Sequence, residues 1–363
     1  MPTAFLAASL LLAPGFDVPK AYFPGLTRPP AKAMKMSRPV DGPVILIVVD
    51  ALRPDRMSTY GFDRTTTPNL DTLADDGVVF TQFFTNGNWT RPSTASLLTG
   101  MLPHRHGVER DADRLPDRFQ TLPEALKRRG FRTSAVIGNG NAGSAFGLDR
   151  GFDTYADTRR HWDGLPSADQ VIDLAVPYVQ QNRDHPFFLM LFLIDPHDPY
   201  HAPGEFETMF VEDSSVPLIR TPQWELGRYN KAQRDRMMAG YDGAVRYTDS
   251  ALGRCFDELK KAGLYDKSTI VVTSDHGEAF GEHGVYLHAH HLYDELIRAP
   301  LIVRAPTMNQ RGVYSPLLSQ TVDLFPSLLA YTGGSVPAEV QGIDLFTRLA
   351  APNSWDQKRL VVS

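Results

Sequence analysis

Val44-Ile45-Leu46-Ile47-Val48-Val49-Asp50 is the stretch on which the fold turns. Six apolar residues, five of them β-branched, follow one another without a polar interruption. A strand with one solvated face alternates apolar and polar side chains, so this run reads instead as a central strand buried on both faces, the kind that parallel sheets carry. It stops on an acid. A carboxylate at the C-terminal edge of such a strand lies where open α/β sheets place their ligands, although it can equally cap a following helix.

Outward from this strand the signals alternate. Helical patterns over 67–76, 122–129, 168–181, 232–262 and 321–331 are interleaved with extended runs at 78–84, 131–137, 187–194, 269–273 and 301–304. The alternation predicts an α/β fold with a mostly parallel central sheet and helices on both faces. Residues 1–43 stand apart. Positions 4–14 form a short apolar run like the core of a secretory signal, but no Lys or Arg precedes it and it is too short to span a bilayer. Positions 15–43 are rich in Pro, Gly and Lys without periodicity and read as an arm or linker outside the core. The expected organisation is an N-terminal arm, 1–43, and one catalytic domain, 44–363, whose last five residues, Arg359-Leu360-Val361-Val362-Ser363, read as the start of a strand.

Composition narrows the function. A hydrophobic content of 42% over 363 residues is enough for a large core. The net charge of −5 carries no long run of one sign, which argues against a nucleic-acid partner. The single cysteine, Cys255, sits in an amphipathic helical stretch and excludes an internal disulfide or a Cys-based metal site.

Two further strand ends repeat the first. The run 269–273 breaks into Ser274-Asp275-His276-Gly277-Glu278, and the apolar run 187–194 breaks into Asp195-Pro196-His197-Asp198-Pro199-Tyr200-His201. Gly281-Glu282-His283-Gly284 follows, then His288, His290 and His291, so five of the 11 histidines fall between 276 and 291. Any one of these imidazoles could be an ordinary hydrogen-bonded loop residue. His276, directly after Asp275, reads as a metal ligand, and His197, between two prolines that stiffen its loop, as an anion contact. In Asn88-Trp89-Thr90-Arg91-Pro92-Ser93-Thr94, a Pro-broken turn enters a helix that Gly100 would close. That arrangement is a common capped helix start; it also leaves the Thr90 hydroxyl at the positive end of a helix, where a phosphate or sulfate ester would bind.

Taken together, these phrases resemble the sulfatase family of the alkaline phosphatase superfamily over residues from about 44 to about 346. The resemblance is also carried by Asp50-Ala51-Leu52-Arg53-Pro54-Asp55, Thr67-Pro68-Asn69-Leu70-Asp71, His106-Gly107-Val108, Gly147-Leu148-Asp149-Arg150-Gly151-Phe152-Asp153 and Arg298-Ala299-Pro300-Leu301-Ile302-Val303. It implies that Asp50, Asp275 and His276 bind a catalytic metal, with Thr90 as nucleophile and fourth ligand. It places His197, His288 and His290 where the family contacts the ester or its leaving group. An imidazole beside two carboxylates suits Zn²⁺ or Mn²⁺ better than Ca²⁺ or Mg²⁺, and a second metal would draw on Asp195, His197 or His283.

The departures from the family pattern bear on the chemistry. Family sulfatases carry Cys or Ser in a Cys/Ser-x-Pro-x-Arg motif and oxidise it to formylglycine. Here Thr90 holds that position and Thr94 that of the Arg, and threonine cannot become the aldehyde. Ala51 stands for the second acid of a paired Asp, His276 for an Asn, and the Gly-Lys-Trp-His stretch has no counterpart near 139–146. The expected function is therefore metal-dependent hydrolysis of an anionic phosphate- or sulfate-type ester through Thr90, with a phosphodiester or phosphonate favoured. The alternatives are a sulfuric ester hydrolase without formylglycine, an inactive metal-binding homologue, or a phospho-head-group transferase with membrane association through residues before position 44. The resemblance further implies a periplasmic or extracytoplasmic location and a C-terminal small region that is short or missing.

Overall fold

The computed structural model describes residues 22–37, 40–158, 167–219, 229–351 and 359–363. β1 (Val44–Val49) is its central strand, flanked by β6 (Phe187–Leu193) and β7 (Thr269–Thr273), both parallel to it. Every residue of these three strands is buried, as their unbroken apolar runs require. The remaining strands are β2 (Val78–Phe80), β4 (Arg132–Ile137), β5 (Thr154–Asp157), β10 (Leu301–Arg304) and β11 (Val313–Ser315), in the sheet order β11-β2-β10-β7-β1-β6-β4-β5. β10 alone in this sheet runs antiparallel to its neighbours. β3 (Phe83–Phe84) pairs with β12 (Ser319–Gln320), and β8 (Ala279–Phe280) with β9 (Tyr286–Leu287).

The pleat sorts β1 between two layers. Val44, Leu46 and Val48 enter one hydrophobic cluster with α2 (Thr90–Thr99), α3 (Leu122–Arg128), α6 (Leu324–Tyr331) and α7 (Leu345–Leu349). Ile45, Ile47 and Val49 enter the other, with α1 (Pro68–Asp75), α4 (Ala168–Gln181) and the long α5 (Lys231–Lys261). Each such side chain contributes about 1.5–3 kcal/mol on burial, so a polar substitution on either face of β1 would cost the fold heavily. The result is the three-layer α/β arrangement expected from the alternation.

Several local readings differ. The extended run 78–84 divides at Thr81 and Gln82, whose backbone turns β3 out of the main sheet to meet β12. The edge strand β5 has an exposed Thr154 and half-buried neighbours, so it carries no apolar run for a sequence pattern to catch. Part of the expected arm packs onto the domain: Phe23 and Met34 are buried, the Ala31 amide donates to the Tyr314 carbonyl (2.6 Å) and the Met34 amide to Leu349 (2.9 Å). The signal-like run 4–14 lies outside the described residues. Residues 359–363 are irregular rather than a strand; Arg359 pairs with the buried Asp323 (2.5 Å), and the Val362 amide donates to Gln320 Oε1 (3.0 Å). Cys255 is buried within α5. Among the described residues no helix is long and apolar enough to cross a membrane.

Candidate active site

Strand register builds the site. Thr273, Val48, Phe192 and Ile137 stand side by side across β7, β1, β6 and β4. Two residues further along each parallel strand, on the same face, come Asp275, Asp50, Ile194 and Asn139. Val48, Phe192 and Ile137 face the layer that holds α2, so this row, polar at Asp275, Asp50 and Asn139, emerges beneath that helix. A C-terminal sheet edge is the usual ligand position in this class of sheet.

α2 brings the hydroxyl. Thr90 is its first residue, Trp89 caps it without a side-chain hydrogen bond, and Gly100 ends it at φ 67°. Pro92 has no N–H and the Ser93 amide donates to the Trp89 carbonyl (3.4 Å), so the Thr90 and Arg91 amides are the first-turn donors without a side-chain cap, at the end where the helix dipole is positive. The helix is tied down by Ser93, whose hydroxyl donates to the Asp275 carbonyl (2.5 Å). Gly277 is required by space, since a Cβ there would lie 2.0 Å from the Glu295 carbonyl oxygen.

At the centre, Asp50, Asp275 and His276 offer ligand atoms that all lie within 4.8 Å of one another. The Nδ1–H of His276 donates to the Gly277 carbonyl (2.8 Å), which fixes the tautomer and leaves a lone pair on Nε2. That nitrogen lies 3.4 Å from Asp50 Oδ1, 3.4 Å from Asp275 Oδ2 and 3.4 Å from Thr90 Oγ1. Both carboxylate oxygens are buried without a hydrogen-bond partner. Three converging acceptors with no donor among them are costly in a buried site unless a cation joins them. Burial raises the Asp50 carboxyl above its ordinary range against the pull of His197 and Asn139, and burial together with Asp50 pushes Asp275 well above it. Burial and the neighbouring His288 and His197 hold His276 well below the ordinary imidazole value, in its ligating form. The donor set thus fits a divalent cation.

Imidazoles form one wall. The His288 ring stacks on His276 at 4.3 Å between centroids and meets His197 edge-on at 4.8 Å. His197 Nδ1 lies 2.8 Å from the Asp198 carbonyl oxygen and 2.9 Å from its carboxylate. Burial works against protonation of His197, but the Asp50 and Asp198 carboxylates outweigh it and raise its pKa well above the ordinary value.

The structure therefore brings Asp50, Thr90, Asp275, His276, His197 and His288 to one place. His290 is exposed on the loop beyond His288. His283 is drawn elsewhere, stacked on Tyr293 at 3.7 Å and 3.7 Å from Glu295. Asp195 turns to the start of α4, where burial, countered by the Ala168 amide, raises its pKa to about 7. The sequence reading missed Asn139, whose amide nitrogen lies 2.5 Å from Asp50 Oδ2 and 3.2 Å from Thr90 Oγ1. It missed Glu278 as well, whose buried carboxylate lies 3.2 Å from His288 Nδ1. The only signal for Asn139 was its place just past a buried strand; for Glu278 it was the phrase Asp-His-Gly-Glu.

A mostly parallel sheet with helices on both faces and this convergence at its edge define an ester hydrolase of the alkaline phosphatase superfamily. The chain belongs to the sulfatase family, whose sequence model matches residues 43–334. It is 25% identical to an N-acetylglucosamine-6-O-sulfatase of Bacteroides thetaiotaomicron, the match covering 83% of this chain and 70% of the relative. It is 26% identical to the multifunctional alkaline phosphatase superfamily protein PehA of Trinickia caryophylli, over 86% of this chain and 78% of the relative. The phosphonate monoester hydrolase of Agrobacterium radiobacter shares the fold with a TM-score of 0.73 at 21% identity, covering 86% of this chain and 78% of that one.

Proposed function

We infer that the protein hydrolyses phosphodiester- or phosphonate-type esters with Thr90 as nucleophile. The observation that carries this reading is the Thr90 hydroxyl itself, at the uncapped N-terminus of α2 and 3.4 Å from His276 Nε2, beside two unpartnered carboxylate oxygens. Asp50, Asp275 and His276, with Thr90, would hold a divalent cation, Zn²⁺ or Mn²⁺ by their chemistry; when bound it lowers the hydroxyl pKa and offsets the charge of the ester.

The chain's own groups do the rest. Thr90 Oγ1 attacks phosphorus in line, with the Asp275 carboxylate placed to take the hydroxyl proton. The Thr90 and Arg91 amides at the start of α2 hold a non-bridging oxygen as charge builds on it. His288 protonates the departing oxygen as its bond to phosphorus breaks. Water, giving a proton to the now neutral His288, then attacks the Thr90-bound phosphorus, which still carries its second substituent, and the released Thr90 oxygen takes back the proton from Asp275. Threonine cannot supply the formylglycine hydrate, which favours phosphoryl over sulfuryl transfer; a sulfuric ester is the second reading, favoured by the sulfatases among the relatives.

The test is turnover of aryl phosphodiester, phosphonate and sulfate esters by the Zn²⁺- or Mn²⁺-loaded protein, with mass spectrometry of the quenched enzyme. Phosphoryl turnover with a transient adduct on the Thr90 peptide, of the substrate's mass less that of the alcohol or phenol released, is expected. Turnover of the sulfate ester alone would transfer the assignment to the second reading.

A further inference from the structure

Glu278 has no part in the scheme above, yet its carboxylate is buried between the metal-ligand strand end and the histidine wall. Its Oε1 lies 3.2 Å from His288 Nδ1, and its Oε2 has no hydrogen-bond partner. Besides His288, the carboxylate faces the buried Tyr200 hydroxyl. Its own position is fixed from behind: Arg53 Nη1 donates to the Glu278 carbonyl (2.8 Å) and to Glu282 Oε1 (2.5 Å), and the Arg53 amide donates to the Tyr241 hydroxyl oxygen (2.8 Å). The guanidinium is further held by Asp55 at 3.0 and 2.7 Å.

His288 needs such a partner. Its loop carries two non-glycine residues with left-handed backbone, Leu287 (φ 66°) and Ala289 (φ 72°), on either side of it. Ring stacking on His276 sets the plane of the imidazole but leaves rotation within that plane and the choice of tautomer open. A carboxylate accepting from Nδ1–H settles both, and directs Nε2 away from Glu278.

We propose that Glu278 is a positioning residue for leaving-group protonation: it accepts the Nδ1–H of His288, so that the imidazolium presents its Nε2–H to the departing oxygen and the neutral ring keeps its proton on Nδ1. The inference rests on the ester-hydrolase reading of this site. In the step, the Nε2 proton passes to the leaving oxygen as the ester bond breaks, the bonding pair stays with that oxygen, and His288 is left neutral with its Nδ1–H still donated to Glu278. Such a dyad matters most where the leaving group is a poor one. A nitrophenolate departs without a proton, whereas an alkoxide requires it.

The experiment compares wild type, Glu278→Gln and His288→Asn as metal-loaded proteins on a series of diesters whose leaving groups run from nitrophenol to simple alcohols. Metal content is measured on each preparation. Glu278→Gln is expected to lose at least about tenfold more activity on the alkyl than on the nitrophenyl member, with kcat falling rather than KM rising, and the double variant is expected to be no worse than His288→Asn. A uniform loss across the series, or a loss that tracks metal content, overturns the proposal. Nitrogen-15 correlation spectra of the Zn²⁺-loaded wild type give a readout that needs no turnover: a neutral His288 ring protonated on Nδ1, or an imidazolium protonated on both nitrogens, supports the proposal, and the neutral Nε2–H tautomer overturns it. Absence of turnover in wild type on every ester would instead count against the parent reading, leaving the tautomer to decide this one.

Discussion

Asn139 donates to Asp50 across 2.5 Å, and the same amide nitrogen reaches to 3.2 Å from the Thr90 hydroxyl oxygen. One side chain thus sets the distance between a candidate metal ligand and the candidate nucleophile. It is itself held, since its Oδ1 accepts from the Asn141 amide (2.8 Å). Removing an outer partner of this kind costs about 10–100-fold in metal affinity or activity. Asn139→Ala is accordingly expected to lower kcat/KM by that factor, checked by steady-state kinetics beside a metal titration. Asn139→Asp should be worse, because it sets a third carboxylate beside Asp50.

Thr90→Ala should abolish turnover, by at least about a thousandfold as for other covalent nucleophiles, while metal binding by Asp50, Asp275 and His276 persists. Thr90→Ser keeps the hydroxyl and should retain most of the rate. If the alanine variant turned over at the wild-type rate, another group would be the nucleophile.

Metal removal should be visible in stability. Chelated protein keeps Asp50 Oδ1 and Asp275 Oδ2 buried and unpartnered, so added Zn²⁺ or Mn²⁺ is expected to raise the free energy of unfolding with the logarithm of its concentration, by about 2.7 kcal/mol at a hundred times Kd, and Tm with it. Differential scanning fluorimetry reads this directly. Asp275→Asn should flatten the response.

How much of this was legible can be judged residue by residue. The runs at β1, β6 and β7 are apolar throughout because both faces are covered, and such runs show in any sequence; the acids that end β1 and β7 were visible for the same reason. Asn139 was not, because a strand ending in Gly-Asn-Gly looks like an ordinary turn, and only the register across β1, β6 and β4 sets it beside Asp50. The histidine density pointed to the right loop without resolving it. His288 and His290 differ by two positions, yet one stacks on His276 and the other is exposed. Left-handed backbone at Ala289 separates them, and nothing in the composition announces it. Phe23 and Met34 were missed because an arm that crosses a surface buries isolated residues without a period.

His106 gives a pH prediction away from the site. Its Nδ1 accepts from the Val108 amide (3.0 Å) and its Nε2 faces the Ser96 hydroxyl (3.0 Å). Burial, against a bond to the Pro92 carbonyl, lowers its pKa to about 4. The unfolded chain, with an imidazole near 6.5, therefore binds the proton first. Stability is complete above pH 6.5 and is lost as pH falls toward 4, by on the order of 3 kcal/mol in all at about 1.4 kcal/mol per unit. Urea melts across this range should show that slope, and His106→Asn should remove its share.

Arg359 and Asp323 form a second stability test. Asp323 is fully buried and receives both Nη1 (2.6 Å) and Nη2 (2.5 Å) of Arg359, along with the amides of Gln320 (2.7 Å) and Ile343 (2.8 Å). Arg359→Ala strands a buried carboxylate and should cost about 3–5 kcal/mol. Adding Asp323→Asn should recover part of the loss, which thermal or denaturant melts will register.

The polar row at the sheet edge has one more consequence. Asp50 and Asn139 are 89 residues apart in the chain, and Thr90 and His276 are 186 apart, so no contiguous segment contains the centre. Ligation can begin only after β7 has paired with β1 and α2 has packed across their ends. Metal capture is then a late event of folding, and a bound ion marks chains in which these elements are assembled. A nascent or proteolytically clipped chain that lacks any one of them would carry the remaining motif phrases and still fail to retain the ion.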